Sequence, residues 1–284
     1  MITNPNVKIN LGLNVLRKRE DGFHDLETLF VPYFDINDTL EIVVGDDFSR
    51  TSAAIFGKYD PEMIAQGISE DGKLMITIAR KEGVDWDPLK DLTAKAYYIL
   101  SEDFDLPPVK IYLEKNSPVG AGLGGGSADA AFALKMLNEL CDLQQTEQQL
   151  ASYAARLGSD CAFFVYNRPM IGEGRGEVLA EIETGFMEGI LAEYDLQVLT
   201  PQGVEVSTKD AYGGIKPHLP EVPLREVLTR PVDQWNGILV NDFEETVFAK
   251  YPELAAIKRS LYDSGAAYAC MSGSGSALFA LYRK

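Results

Sequence analysis

The sequence is poor in cysteine. Cys141, Cys161 and Cys270 are the only three in 284 residues, and no two form a CxxC pair. An odd and scattered set excludes a disulfide framework and a zinc site built on cysteine pairs. We therefore expect small, buried cysteines in a reducing compartment.

Positive charge and long apolar runs are also scarce. Lys and Arg total 26 against 43 Asp and Glu, which gives a formal net charge of −17. This sign argues against nucleic acid or an anionic membrane as the main partner, although a local cluster of Lys and N–H groups can still hold a small anion. No apolar run reaches the roughly 18 residues of a membrane span, and the first residues lack the plan of a signal peptide. We expect a cytoplasmic protein.

What remains is an ordinary globular composition, with 46% apolar and 24% charged residues. The length suits one large or two modest domains. Gly172, Gly174 and Gly176 lie close together and predict a flexible break. We place the domain boundary there, with one domain over residues 1–170 and the other over 171–284.

The most distinctive stretch is glycine-rich. Five glycines fall within residues 120–126, directly before Ser127. Such a backbone can adopt positive φ and come close to a ligand, and its free N–H groups suit a polyphosphate. A flexible linker is the alternative, but a strand at 109–114 and a helical pattern after Ser127 favour an ordered loop.

The elements around this loop discriminate between phosphate motifs. The pattern predicts a helix with Ser127 as N-cap and a second helix from Thr146 to Gly158. A dinucleotide site needs a strand where that second helix begins, and a Walker A loop needs a Lys-Ser/Thr pair after the glycines. The tripeptides of protein kinases are absent as well. A phosphate-binding loop of another kind remains.

Residues 7–15 alternate apolar and polar side chains, which predicts a half-buried strand. Lys8, Asn10 and Asn14 would share its polar face. On a solvated face they would be unremarkable, and they gain a functional meaning only where a ligand covers that face.

Two further segments carry candidate side chains. Charged residues over 17–28 predict an exposed loop, in which the ring of Phe23 and the imidazole of His24 could contact a base or sugar ring. An ordinary surface histidine is the alternative for His24, as for His218. Asp160 precedes an apolar run and suits a general base beside a lysine such as Lys8, or else a helix cap or a turn residue.

The rest of the chain has the pattern of alternating strands and helices. It predicts strands at 39–44, 74–78, 196–200, 267–271 and 277–281, and helices at 91–100, 240–248 and 253–264. Between the last two strands lies a second small loop of exposed N–H groups, formed by Ser272, Gly273, Ser274, Gly275 and Ser276. It is either a simple hairpin turn or a partner of the first loop on one polyanion.

Three segments together resemble the signature motifs of the GHMP kinases, small-molecule kinases named for galactose, homoserine, mevalonate and phosphomevalonate. They are residues 7–15, 118–131 and 271–281. Within the family, Asp21-Gly22-Phe23-His24 and Gly158-Ser159-Asp160 are similar to members whose alcohol substrate is a methylerythritol linked to cytidine diphosphate.

The resemblance implies an α+β, two-domain fold with a ribosomal-protein-S5-like N-terminal domain and a ferredoxin-like C-terminal domain. It implies ATP as the phosphoryl donor, with Mg²⁺ bridging the phosphates and the Ser127 hydroxyl as a further metal ligand. The triphosphate would lie on the glycine-rich loop, namely Pro118, Val119, Gly120, Ala121, Gly122, Leu123, Gly124, Gly125, Gly126, Ser127, Ala128 and Asp129.

The resemblance also assigns roles at the reacting centre. Asp160 would be the general base and Lys8 its charged partner. The substrate side would be lined by Asn10, Phe23, His24, Thr200 and Val204, with His24 reading the cytosine edge.

Two departures from the family pattern concern the base site. Phe23 replaces the usual Tyr, and Val204 stands where a second stacking aromatic is expected.

Two alternatives to this function stay open. One is a GHMP kinase for homoserine or a sugar, against which Phe23-His24 argues. The other is an inactive family fold, against which Lys8 and Asp160 argue.

Overall fold

The computed structural model describes residues 1–45, 47 and 49–284. Its strands are β1 (Ile2–Thr3), β2 (Asn6–Lys18), β3 (His24–Asn37), β4 (Thr39–Val44), β5 (Ile64–Ile68), β6 (Leu74–Arg80), β7 (Val109–Lys115), β8 (Met170–Gly174), β9 (Val178–Glu181), β10 (Tyr194–Leu199), β11 (Ala266–Met271) and β12 (Leu278–Arg283). Its α-helices are α1 (Thr51–Lys58), α2 (Leu92–Ser101), α3 (Gly125–Leu140), α4 (Glu147–Leu157), α5 (Cys161–Tyr166), α6 (Phe186–Glu193), α7 (Thr208–Gly213), α8 (Leu224–Leu228), α9 (Phe243–Lys250) and α10 (Pro252–Asp263). Among these helices, none has the length and apolar character needed to cross a bilayer.

The chain divides into two compact units, each built from several segments. The first contains residues 1–7, 33–119 and 124–167, and the second contains residues 8–32, 120–123 and 168–284. The glycine-rich loop is therefore shared, with residues 120–123 in the second unit and the residues on either side in the first. The domain boundary that we place after residue 170 stays a prediction.

The first unit is built on a five-stranded sheet with the order β1-β4-β7-β6-β5. Strands β6 and β7 run parallel, and helix α2 connects them, while the other neighbours are antiparallel. Asp91 caps α2 by accepting the N–H of Thr93 at 2.8 Å. The strands and the helix predicted here from the sequence pattern are confirmed.

Helix α3 follows strand β7 through the glycine-rich loop. Its N-cap is Gly124, in a left-handed conformation with φ of 73°. The prediction that Ser127 caps this helix is wrong, because the glycines themselves can turn the chain three residues earlier. The predicted cap at Thr146 is confirmed, since Thr146 and Gln149 form a reciprocal capping box at the start of α4.

The second unit contains a four-stranded sheet with the order β2-β3-β8-β9. Two sequence-based expectations fail here. Residues 17–28 are not one loop, because β2 and β3 extend into them and leave a short turn at residues 19–23. The glycines at 172–176 do not form a flexible break either, since Gly172 and Gly174 lie in β8 and pair with Thr28 and Leu26 of β3.

Strand β2 is buried on both faces, so the prediction of a half-buried strand is also wrong. Lys8 and Asn10 are each only 2% exposed and Asn14 is 6% exposed. Buried polar side chains of this kind require hydrogen-bond partners, and their partners belong to the site described below.

The remainder of the second unit is a three-stranded antiparallel sheet with the order β10-β12-β11, packed with helices. Its buried core includes Leu13 of β2, Phe243 of α9, Leu254 of α10 and Met271 of β11. The predicted strands and helices of this part are confirmed, with ends that shift by up to three residues.

Candidate active site

Lys8 is the centre of a buried polar network in the second unit. Its Nζ donates to Asn10 Oδ1 at 2.5 Å and to the carbonyl oxygen of Gly122 at 2.8 Å. Asn10 in turn donates from Nδ2 to Thr28 Oγ1 at 3.0 Å, and Thr28 donates to the carbonyl of Gly12. The alternation along β2 thus places Lys8 and Asn10 on one face, where Asn10 and the Gly122 carbonyl fix the direction of the Lys8 ammonium group.

Gly122 brings the two glycine-containing loops together. Its carbonyl oxygen also accepts a hydrogen bond from Ser272 Oγ at 3.1 Å, and a Cβ at Gly122 would lie 2.2 Å from the carbonyl oxygen of Ser272. Ala277 N donates to the carbonyl of Ala121 at 3.0 Å. The second loop is therefore a partner of the first and more than an isolated hairpin turn.

Some backbone N–H groups of the second loop are bonded to carbonyl groups within or next to the loop. Ser272 N donates to the Ala277 carbonyl and Gly275 N to the Ser272 carbonyl, so the prediction that these two N–H groups are exposed is wrong. Asn241 donates from Nδ2 to the carbonyls of Met271 and Gly273, both at 2.8 Å. Ser274 is the half-buried member of the loop, while its neighbours are buried.

The glycine-rich loop turns through left-handed backbone conformations at three glycines. Gly120, Gly122 and Gly124 all have φ between 71° and 74°. The loop leads directly into the 16-residue helix α3, whose first N–H groups have no partner inside the helix and carry the positive end of its dipole. Val119, Gly120 and Gly126 are exposed, so the loop offers backbone at its surface.

A buried ionic cluster lies beneath the start of α3 in the first unit. Lys115 Nζ contacts carboxylate oxygens of Asp38 and Asp129, and the side chains of all three are at most 4% exposed. Burial raises the pKa of Asp129 well above its usual range; the positive charge of Lys115 opposes this rise, and the negative charge of Asp38 adds to it. The carboxylate of Asp129 therefore faces inward. Sequence reasoning missed this cluster, because 77 residues separate Asp38 from Lys115.

Asp160 stands at the N-cap position of α5 but does not act as a cap. Its side chain makes no capping hydrogen bond to the helix, and it is half-buried, with Ser159 Oγ 3.3 Å from its Oδ1. The next residue, Cys161, is buried, and burial raises the pKa of its thiol to about 12 although the Ser127 hydroxyl opposes this. The helix-cap alternative for Asp160 is thus removed, whereas Asp160 does lie in a turn, as the other alternative expects.

The turn between β2 and β3 presents aromatic side chains in the second unit. Phe23 is 54% exposed, and the Arg175 guanidinium lies 5.1 Å from its ring centroid. His24 stacks on Tyr212 with ring centroids 4.8 Å apart and planes inclined by 28°. Burial, and to a smaller extent the charge of Lys18, lowers the pKa of His24 from 6.5, which favours the neutral imidazole.

Tyr212 is the residue that sequence reasoning missed in this group. Val204, where the family pattern places a second aromatic, packs against the core of the second unit, and its carbonyl accepts a hydrogen bond from Ser276 Oγ. Thr200 is half-buried just after β10. The sequence does contain a signal for the helix that carries Tyr212, since a serine at residue 207 is a good helix cap, and Ser207 does cap α7 through the N–H of Asp210. No local sequence pattern pairs Tyr212 with His24.

Comparisons with known proteins identify the family of the chain. The family model for the GHMP kinase N-terminal domain matches residues 91–168, and the model for the GHMP kinase C-terminal domain matches residues 228–284. A 4-diphosphocytidyl-2-C-methyl-D-erythritol kinase of Bacteroides fragilis is 45% identical over 282 residues, covering 99% of this chain and 92% of that relative. This chain belongs to the 4-diphosphocytidyl-2-C-methyl-D-erythritol kinase family of GHMP kinases.

Solved structures support the same fold. A crystal structure of 4-(cytidine 5'-diphospho)-2C-methyl-D-erythritol kinase superposes with a TM-score of 0.71 at 28% identity, covering 99% of this chain and 90% of that one. A homoserine kinase of Cytophaga hutchinsonii superposes with a TM-score of 0.61 at 17% identity, covering 98% and 85%, and shows the fold alone. The predicted two-domain GHMP kinase fold is therefore confirmed.

The described residues contain no group of three or more His, Cys, Asp or Glu side chains that could hold a metal ion. Mg²⁺ does not require such a group, because it keeps several waters and is held in kinases largely by substrate phosphates. The half-buried Ser127 hydroxyl, in the first turn of α3, is a hard oxygen donor that fits such a role.

The contact between the two loops can be tested at Gly122. In Gly122→Ala, the new methyl group would collide with the Ser272 carbonyl, and we expect ATP turnover to fall about tenfold or more because the loop is displaced. The measurement is ADP release at varied ATP, together with the melting temperature.

Gly120→Ala is the matched control. Gly120 has a similar φ of 71°, but no atom lies within 4 Å of the position that its Cβ would take, so only the backbone strain of about 1–2 kcal/mol is shared. Equal losses of ATP turnover in the two variants would contradict the role of the loop contact.

Proposed function

We propose that this kinase transfers the γ-phosphoryl group of ATP to the 2-hydroxyl of 4-diphosphocytidyl-2-C-methyl-D-erythritol. The products are the 2-phosphate and ADP, in the non-mevalonate route to isoprenoid precursors. The name of the relative with 45% identity over nearly the whole chain supports this substrate. The predicted cytoplasmic location remains a prediction.

The observation that carries the substrate assignment is the aromatic group of the second unit. The exposed ring of Phe23 is suited to stack on a base, and the Tyr212 ring beside His24 supplies the second aromatic that Val204 cannot. A neutral imidazole has one donor and one acceptor nitrogen. One of these nitrogens can meet the edge of cytosine, for example the acceptor nitrogen by receiving a hydrogen bond from the cytosine amino group, and neither homoserine nor a simple sugar has such an edge.

The triphosphate of ATP binds, in this proposal, to the backbone N–H groups of the glycine-rich loop and to the start of α3. Phosphoryl transfer depends mainly on positioning and on stabilising charge, and pre-oriented N–H groups serve both purposes. Mg²⁺ supplies charge neutralisation on the phosphates when bound, and Ser127 is the protein side chain that would hold it.

Asp160 and Lys8 carry the chemistry. The Asp160 carboxylate accepts the proton of the attacking 2-hydroxyl, and the Lys8 ammonium, already oriented by Asn10 and Gly122, stabilises the negative charge that develops. Asn10 fixes this ammonium, and Asn10, Thr200 and Val204 stay predicted members of the substrate side.

The function is tested by a coupled ADP-release assay with ATP and a panel of alcohols. We expect turnover with 4-diphosphocytidyl-2-C-methyl-D-erythritol and none above background with homoserine, mevalonate or galactose. An alcohol without the cytosine edge would leave the polar group that reads this edge unpaired in the complex, so the other alcohols should be rejected strongly. Turnover restricted to one of those three would refute the assignment.

The role of Asp160 is tested by Asp160→Asn, which keeps the shape and removes the base. We expect kcat to fall by about 10²–10⁴-fold, the usual contribution of a general base, while the affinity for ATP changes little. Asp105→Asn is the control, because it removes the same charge from a carboxylate that is 96% exposed. A wild-type kcat in Asp160→Asn would exclude the base role.

The role of His24 is tested by His24→Ala and by pH. We expect KM for the cytidine substrate to rise about tenfold, equivalent to roughly 1.4 kcal/mol, with KM for ATP unchanged. Because the pKa of His24 lies below 6.5, this KM should be constant at neutral pH and rise only as the pH falls below 6.5, where protonation removes the acceptor nitrogen. His24→Asn should lack that rise.

His218→Ala is the control, since His218 is the other histidine of the chain and its side chain is 56% exposed. It should leave both KM values unchanged. If His24→Ala raised the two KM values equally, His24 would have a structural role instead.

A further inference from the structure

Burying the charged cluster below helix α3 costs free energy, and a gain in stability alone does not explain why the protein contains it. It places Asp38, Lys115 and Asp129 in the interior of the first unit, with side chains exposed by 1%, 4% and 1%. Removing charges from water costs several kcal/mol per ion, and well-packed apolar residues are often as stable as a buried ion pair. A positioning role would account for the cluster.

Asp38 fixes the chain that leads into the glycine-rich loop. Its Oδ1 accepts the backbone N–H groups of Asn116 at 2.6 Å and Ser117 at 2.7 Å. Its Oδ2 accepts the Ser117 hydroxyl at 2.7 Å and also contacts Lys115 Nζ. One carboxylate thereby holds three consecutive residues immediately before Pro118, where the loop begins.

The same cluster fixes the other end of the loop. Asp129, in the first turns of α3, contacts Lys115 Nζ through its Oδ2 at 2.5 Å. Gly125, the first residue of α3, packs so closely on the cluster that a Cβ would lie 2.3 Å from Ser117 Oγ and 3.5 Å from Lys115 Nζ. The start of the helix therefore rests directly on Lys115 and Ser117.

We propose that Asp38, Lys115 and Ser117 are positioning residues for ATP. They set the direction of the backbone N–H groups at the entry to the glycine-rich loop and at the start of α3. The inference rests on the proposed binding of the triphosphate to this loop. The three side chains act through the backbone that they hold, and a displaced backbone would lose its aligned hydrogen bonds to phosphate.

Asp38→Asn is the principal test. The amide keeps the size of the side chain, but it removes the charge beside Lys115 and places an NH₂ group where only acceptors fit. We expect KM for ATP and the directly measured dissociation constant of ATP to rise about tenfold to a hundredfold. KM for the cytidine substrate should stay within about twofold, because no residue of the aromatic group is held by the cluster.

Glu41→Gln is the matched control in the same unit. Glu41 is a carboxylate of β4 that is 3% exposed and accepts the N–H groups of Arg50 at 3.0 Å and Thr51 at 2.7 Å. It holds the start of α1 and makes none of these contacts with the loop. We expect a lower melting temperature, as in Asp38→Asn, but an unchanged dissociation constant for ATP.

Ser117→Ala tests the same inference should Asp38→Asn fail to fold. It removes only the hydroxyl that donates to Asp38, and we expect a rise of about threefold in the dissociation constant for ATP at a nearly native melting temperature. An unchanged affinity for ATP in a folded Asp38→Asn, or in Ser117→Ala, would overturn the proposal.

Direct measurement of ATP binding separates this inference from the proposed function. It requires no alcohol substrate, so the wild-type protein and the variants can be compared even if the acceptor is another alcohol. In that case the proposed function would fail while the positioning role of the cluster would stand.

Discussion

The carbonyl group of Gly122 is the constraint on which the second unit's part of the candidate site depends. Its oxygen accepts hydrogen bonds from Lys8 Nζ and from Ser272 Oγ, while the space beside its Cα is filled by the Ser272 carbonyl. Any side chain would separate these groups. A single residue thereby fixes the direction of the proposed catalytic lysine and the contact between two loops that lie about 150 residues apart in the chain.

The first unit holds its part of the same loop by different chemistry. There, one carboxylate accepts two backbone N–H groups, a hydroxyl and an ammonium group, and the ammonium group is shared with a second carboxylate in α3. The packing around Gly122 leaves no room for a side chain at this position, whereas the ionic cluster is sensitive to the loss of any one of its charges. Each unit therefore orients its own loop residues, and a glycine-rich sequence need not be a flexible one.

Local patterns predict most of the helices and strands. They fail where long-range contacts determine which residues are buried and which segments pair. The alternation in residues 7–15 predicts strand β2, but it cannot reveal that the polar face is buried, because the partners of Lys8 and Asn10 come from Gly122 and Thr28. The glycines at 172–176 resemble a break because their pairing with β3 is a long-range contact. Motifs predict the loop, Lys8, His24 and Asp160 as parts of the site, and these assignments stay predictions.

Residues that act through a distant partner leave no such signal. Tyr212 joins the aromatic group only because α7 places its ring on His24. Asp38, at the junction of β3 and β4, joins the ionic cluster only because this junction contacts Lys115 at the end of β7. Neither residue belongs to a local pattern that predicts a ligand. Short-range periodicity reports which face of an element is apolar, whereas these contacts depend on the arrangement of elements far apart in sequence.

The strong negative charge of the chain is compatible with anionic substrates because the proposed recognition is local. Lys8 and Lys115 are both buried, and Lys115 is already compensated by two carboxylates. The donors that we propose for phosphate are neutral N–H groups at a helix N-terminus, which carry partial positive charge without adding to the net charge. At physiological ionic strength, charges beyond about 8 Å are largely screened, so the acidic residues of the surface that lie farther than this from the loop oppose a nucleotide there only weakly. A long polyanion would meet that surface along its whole length, which argues against nucleic acid while leaving ATP able to bind.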